Sequence, residues 1–127
     1  MARSDDVVVA APLTPQTQGL VGREAIAAMR RTAVLVNLGR GPVVDEPALV
    51  EALEQGRIRG VALDVFETEP LPAGHPFWRL PNVLLSPHCA DHVPGWVDEA
   101  MRVFLRQLER FRRGEPLRDV VDKASGY

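Results

Sequence analysis

Four short apolar runs set the tightest limit on how this chain folds: DVVVAA at 6–11, TAVLVNL at 32–38, GVALDVF at 60–66 and NVLLS at 82–86. Each is closed off by turn-forming residues and is too short for a helix, which makes it the kind of strand that a parallel sheet buries on both faces. Between the first two, GREAIAAMR at 22–30 sets Ala25, Ile26 and Met29 on one side, the stripe of a short amphipathic helix. Between the second and third, Asp45 is placed to cap a helix with Pro47 in its first turn. Ala48, Leu49, Ala52 and Leu53 lie on one side of that helix, and Gly56 ends it. Strand and helix thus alternate, which predicts an α/β fold: a partial Rossmann-like parallel sheet of about four strands with flanking helices.

From Pro94 to Arg113 the period changes to one long helix. Trp96, Val97, Ala100, Met101, Phe104, Leu105, Leu108 and Phe111 form a wide apolar stripe, and Gly114 stops it. The ending EPLRDVVDKASGY has little periodicity and is expected to fray.

With 127 residues, the chain is at the small end for an enzyme that binds both a cofactor and a substrate. Its net charge of -2 gives no basic field to gather phosphates, so nucleic acid is not the expected partner. A lone Cys89 allows no internal disulfide, and no run approaches the roughly 20 apolar residues that cross a bilayer. MARSDDVVVA lacks the long apolar core of a secretory signal. These features together predict a cytoplasmic protein without a membrane partner.

Ligands of open α/β sheets sit beyond the carboxyl ends of the strands. Those ends carry PLTPQT, GRG, DVFETEP and SPHCADH, so Arg40, Asp64, Glu69 and His88 all fall where one crevice can hold them. Arg40, between Gly39 and Gly41, has two readings. One is a solvated side chain on a turn whose glycines serve backbone geometry. The other is a planar fork for a carboxylate, with the glycines letting a ligand approach the backbone. His88 is either a hydrogen-bonded loop histidine or a general acid/base that gives and takes a proton near neutrality. Glu69 is either a solvated loop residue or the carboxylate that orients the His88 ring. His88, Cys89 and His92 lack metal-site spacing, and Cys89 reads as a small apolar filler.

The ordered motifs PLTPQT, VNLGRGPVVDE, ALDVFETEP and SPH, with the continuous stretch from Ser4 to His88, resemble the later half of the cofactor-binding domain of the D-isomer-specific 2-hydroxyacid dehydrogenases. That resemblance implies an oxidoreductase using NAD or NADP to interconvert small 2-oxo acids, such as glyoxylate, hydroxypyruvate or pyruvate, with D-2-hydroxy acids. It implies catalytic roles for Arg40, Glu69 and His88. It places Pro12, Thr17, Leu38, Gly39, Arg40, Asp64, His88, Cys89, Ala90 and Asp91 along the cofactor. It also implies a homodimer for the intact family.

By the same resemblance, residues 4–92 form the C-terminal half of the NAD(P)-binding domain. Residues 93–127 form a helix and tail that pack on a substrate domain. No G-x-G-x-x-G turn occurs in the chain. The expectation is therefore a portion inactive alone, with an unpaired first-strand edge, exposed Trp96, Met101, Phe104 and Leu108, and self-association. The alternative is a non-catalytic interaction module or relic that keeps the NAD-binding fold.

Overall fold

A computed structural model describes residues 1–125. Four strands, β1 (Asp6–Val9), β2 (Val34–Asn37), β3 (Gly60–Leu63) and β4 (Val83–Leu85), form one parallel sheet in the order β1-β2-β3-β4. The expected α/β class and strand count stand, with each strand shorter than its apolar run. The β1–β2 crossover carries α1 (Arg23–Ala27), and the β2–β3 crossover carries α2 (Glu46–Glu54). Residues Gly41–Val43 and Pro76–Trp78 each form a single 3-10 turn, a feature that hydrophobic period does not reveal.

α2 begins where its cap chemistry places it. The Asp45 carboxylate accepts the Ala48 N–H at 2.9 Å, Pro47 lies in the first turn, and Gly56 follows the helix with φ of 59°. Its Ala48, Leu49, Ala52 and Leu53 are all buried. α1 is shorter than its stripe, yet Ile26 and Met29 are buried as the spacing requires. α1 packs beside α2, with an Arg23–Glu51 ion pair across them.

The sheet departs from expectation in one respect. Val7, Leu35, Val61 and Val83 are in register, and with Val9, Leu63 and Leu85 they join the core against Ile26, Leu49 and Phe77. On the opposite face the registered row is Val8, Val36, Ala62 and Leu84, of which Val8 is 60% and Leu84 70% exposed. The strands are thus buried on one face only, because both crossover helices cover the same side. β1 is an edge strand that pairs only with β2 among the described residues.

The chain divides into two compact units, Met1–Cys89 and Ala90–Tyr127. The second holds α3 (Trp96–Arg112), closed by Gly114 with φ of 68°. None of its residues is buried, and Trp96, Met101, Phe104 and Leu108 are exposed as expected. The tail does not simply fray. Gln107 donates to the Arg118 carbonyl and accepts the Arg118 N–H, both at 3.1 Å, and Arg110 Nε donates to the Pro116 carbonyl at 2.8 Å. Side-chain hydrogen bonds to backbone replace the periodic packing that the sequence lacks; the last two residues of the expected tail lie outside the described residues.

Candidate functional site

Parallel strands in consecutive order put all four carboxyl ends on one edge of the sheet, so the loops after β1, β2, β3 and β4 converge there. The β2 loop is built by Asn37, a 1%-exposed side chain that closes an Asx-type turn. Its carbonyl oxygen accepts the Gly39 N–H at 3.1 Å, and its amide donates to the Arg40 carbonyl at 3.2 Å. Asn37 was not singled out from the sequence, although Asn two residues before Gly is the signal that would have found it.

The glycines on either side of Arg40 have an internal reason. A Cβ on Gly39 would stand 2.7 Å from the Ala11 carbonyl oxygen, and one on Gly41 would overlap the Phe66–Glu67 peptide at 1.9 Å from the Phe66 carbonyl carbon. Close approach of the chain to itself therefore requires both glycines, which is the backbone-geometry reading of this turn. Arg40 is exposed and spends one N–H on the Gly39 carbonyl at 2.7 Å. Its remaining donors make no hydrogen bond to the described residues, which leaves a fork open to an anion.

Asp64, just past β3, is 2% exposed, and one of its carboxylate oxygens accepts the Ser86 hydroxyl and, at 3.0 Å, the Cys89 N–H. It thereby ties the loop after β4 to β3. Cys89 is half-buried and contributes its backbone to this tie. Ser86, unlike Asn37, gave no signal in the sequence. In the loop after β1, the Thr17 hydroxyl donates to the Pro12 carbonyl at 2.6 Å and accepts the Thr14 N–H at 2.8 Å. Thr17 shapes that loop from within. Leu38 stands 45% exposed at the end of β2. Ala90 and Asp91 belong to the second unit, where His92 stacks on Trp96.

Glu69 and His88 meet. The His88 Nδ1 lies 2.7 Å from Glu69 Oε2, while Glu69 Oε1 accepts the Phe66 N–H at 2.9 Å. The hydrogen bond from His88 and then that from Phe66 hold the Glu69 carboxyl below its ordinary value of 4.5, and the Arg40 charge adds to this. Glu69 is therefore ionised at neutral pH and can only accept, so Nδ1 carries the proton of this bond. His88 Nε2 has no hydrogen-bond partner among the described residues. The His88 backbone sits at φ of 52°, a left-handed conformation uncommon for residues other than glycine and frequent where a side chain must be aimed. Beside the pair opens an apolar cleft of about 570 Å³, walled by Phe66, Leu71, Trp78 and Leu85.

An acid/base group with an oriented ring, an open guanidinium and a carboxylate anchor on one sheet edge can bind a small carboxylic acid and exchange one proton with it. Residues 1–90 match the family model described as D-isomer specific 2-hydroxyacid dehydrogenase, NAD binding domain. A glyoxylate reductase of Thermofilum pendens is 51% identical over 97% of this chain and 36% of its own length. Among solved structures, a D-isomer specific 2-hydroxyacid dehydrogenase from Xanthobacter autotrophicus Py2, in complex with NADPH and MES, superposes with a TM-score of 0.91 at 45% identity, over 99% of this chain and 51% of that one. An NADPH-dependent glyoxylate/hydroxypyruvate reductase from Sinorhizobium meliloti, in complex with NADP and sulfate, gives 0.90 at 38% identity, over 99% and 41%. The chain spans roughly a quarter to two-fifths of the length of the first curated relatives it matches.

Proposed function

Because the chain belongs to the D-isomer specific 2-hydroxyacid dehydrogenase family through its NAD binding domain, we propose that it carries the nicotinamide-side half of a site for reducing small 2-oxo acids to D-2-hydroxy acids. Glyoxylate, hydroxypyruvate and pyruvate are the substrates in view, and NAD or NADP the cofactor. The observation that carries this reading is the 2.7 Å His88–Glu69 contact, with His88 Nε2 left unengaged and Arg40 close enough to act on the same carboxylate.

The donor set fits one end of such a cofactor. By family resemblance the backbone of Leu38, Gly39 and the segment beginning at His88 and Cys89 would contact a nicotinamide ring, with Asp64 near its carboxamide and Pro12 and Thr17 in the loop along the cofactor; Ala90 and Asp91 follow Cys89 in sequence. The diphosphate end is not assigned, since no glycine-rich turn stands in this sequence. When bound, the nicotinamide supplies the hydride in reduction and accepts it in oxidation. Arg40 grips the substrate carboxylate two-pronged and draws on the carbonyl oxygen. Charged His88 gives its Nε2 proton to that oxygen, keeps its Nδ1 proton on Glu69, and takes the proton back in the reverse direction.

Residues 4–92 would thus be the later half of a cofactor domain, and 93–127 a helix and tail that pack on a substrate domain. The 127 residues are inactive alone, and the working form is a cytoplasmic homodimer. In a longer chain that supplies the glycine-rich half, nicotinamide absorbance with a panel of 2-oxo acids tests the reading. His88→Ala is expected to remove turnover, and Arg40→Ala mainly to raise KM. Turnover retained in His88→Ala overturns the acid/base role. The second reading, a non-catalytic interaction module, draws on the exposed stripe of α3 and predicts no activity even in the longer chain.

A further inference from the structure

Glu46 is a buried carboxylate, 7% exposed, that the proposed chemistry does not use. It is the first residue of α2, and its Oε1 accepts the Glu67 N–H, 21 positions along the chain in the loop that carries Glu69. Its Oε2 lies 3.6 Å from His75 Nε2. His75 Nδ1 accepts the Phe77 N–H at 3.3 Å, so the proton of the neutral ring sits on Nε2, facing Glu46. The His75 ring packs on Phe77, whose centroid is 4.5 Å away and which is 1% exposed in the core.

The Phe66–Glu67 peptide is therefore held from two directions. Gly41, next to Arg40, packs directly against it. Glu46 accepts its N–H, and Glu69 accepts the N–H one residue earlier, at Phe66. Arg40, through Gly41, is thus referred to the Phe66–Glu67 peptide, and Glu69, with His88 on it, to the adjacent Val65–Phe66 peptide; Glu46 is a polar side chain that reaches the first of these from outside the loop. We propose that Glu46, braced by His75, is a positioning residue: it fixes the Phe66–Glu67 peptide and so holds Glu69 in register with His88.

This inference rests on the assignment of Glu69 and His88 above, but its test needs neither cofactor nor turnover. Burial raises the Glu46 carboxyl, the Glu67 hydrogen bond and His75 oppose that, and the charges of Glu67 and Glu69 add to it. The Glu69 carboxyl is held low by its two hydrogen bonds. Carboxyl-carbon NMR of the 127-residue chain follows both groups through a pH titration. Removing a neighbouring negative charge without moving the loop would lower the Glu69 midpoint. Loss of positioning instead weakens the His88 and Phe66 bonds and raises it toward 4.5.

Glu46→Ala is expected to shift the Glu69 midpoint upward, and Glu46→Gln, which still accepts the Glu67 N–H, to leave it low. A Glu69 midpoint unchanged or lowered in Glu46→Ala overturns the proposal. The wild-type chain gives an independent reading should Glu46→Ala not fold: the Glu67 amide proton is expected to inflect at the Glu46 midpoint, above 4.5. Absence of that inflection also overturns the proposal. Activity lost in His88→Ala while these titrations fail would leave the catalytic reading standing without the positioning role.

Discussion

The two faces of the sheet carry the same kinds of residue and meet opposite surroundings. Leu35, Val61 and Leu63 face α1 and α2 and are 0%, 4% and 3% exposed, while Val8 and Leu84, one residue out of phase, are 60% and 70% exposed. A strand buries a face only if something is laid on it, and both crossover helices go to one side. The apolar row on the other side, like the stripe of α3, lacks a cover among the described residues. A hydrophobic side chain therefore contributes stability according to its neighbours rather than its type.

The largest test of that contrast is a pair of truncations. Leu35→Ala on the covered face is expected to destabilise by about 2–5 kcal/mol, through lost transfer energy and a cavity. Leu84→Thr on the open face is expected to stay within about 0.5 kcal/mol, as surface changes do. Urea unfolding measures both, and comparable losses would mean that the open face is covered in solution. Next in size is the cap of the covering helix: Asp45→Ala should cost about 1 kcal/mol by leaving the Ala48 N–H without its acceptor.

A smaller effect distinguishes the two anchoring carboxylates by pH. The Glu69 carboxyl is lowered in the fold, so its contribution is complete above 4.5 and fades as pH falls through the folded value. The Glu46 carboxyl is raised by burial, so its ionisation works against the fold as pH climbs past 4.5. Glu69→Gln is therefore expected to lower the unfolding midpoint more at pH 7 than at pH 3, and Glu46→Gln to compare better with wild type at pH 7 than at pH 4. The reverse order for Glu69 would show that its pair with His88 does not form.

Smallest for stability is the second unit. Phe104→Glu on α3 should change the unfolding free energy of the sheet by no more than about 0.5 kcal/mol and reduce self-association in sedimentation. Unchanged association would move its cause to the open sheet face or the β1 edge.

Much of this layout was legible in the chain because it rests on local rules. Asp45, Pro47 and Gly56 mark α2 by cap and turn chemistry within a few residues, and Ile26 and Met29 show the buried side of α1 by spacing alone. Arg40, Glu69 and His88 could be selected because loops after parallel strands converge. The 3-10 turns, the fold-back of the tail onto Gln107 and Arg110, and the loss of one sheet face to solvent could not, since none has a period.

What the sequence determined by itself is the class of fold, the place of its helices and the strand ends where chemistry gathers, because these follow from contacts between near neighbours in the chain. Only the tertiary structure decided why glycine flanks Arg40 and what Glu46 does. Gly41 meets Phe66 and Glu67, and Glu46 reaches Glu67, across distances in sequence over which neither spacing nor composition carries information. Close packing between remote segments is specified by shape, and shape exists only once the chain has folded.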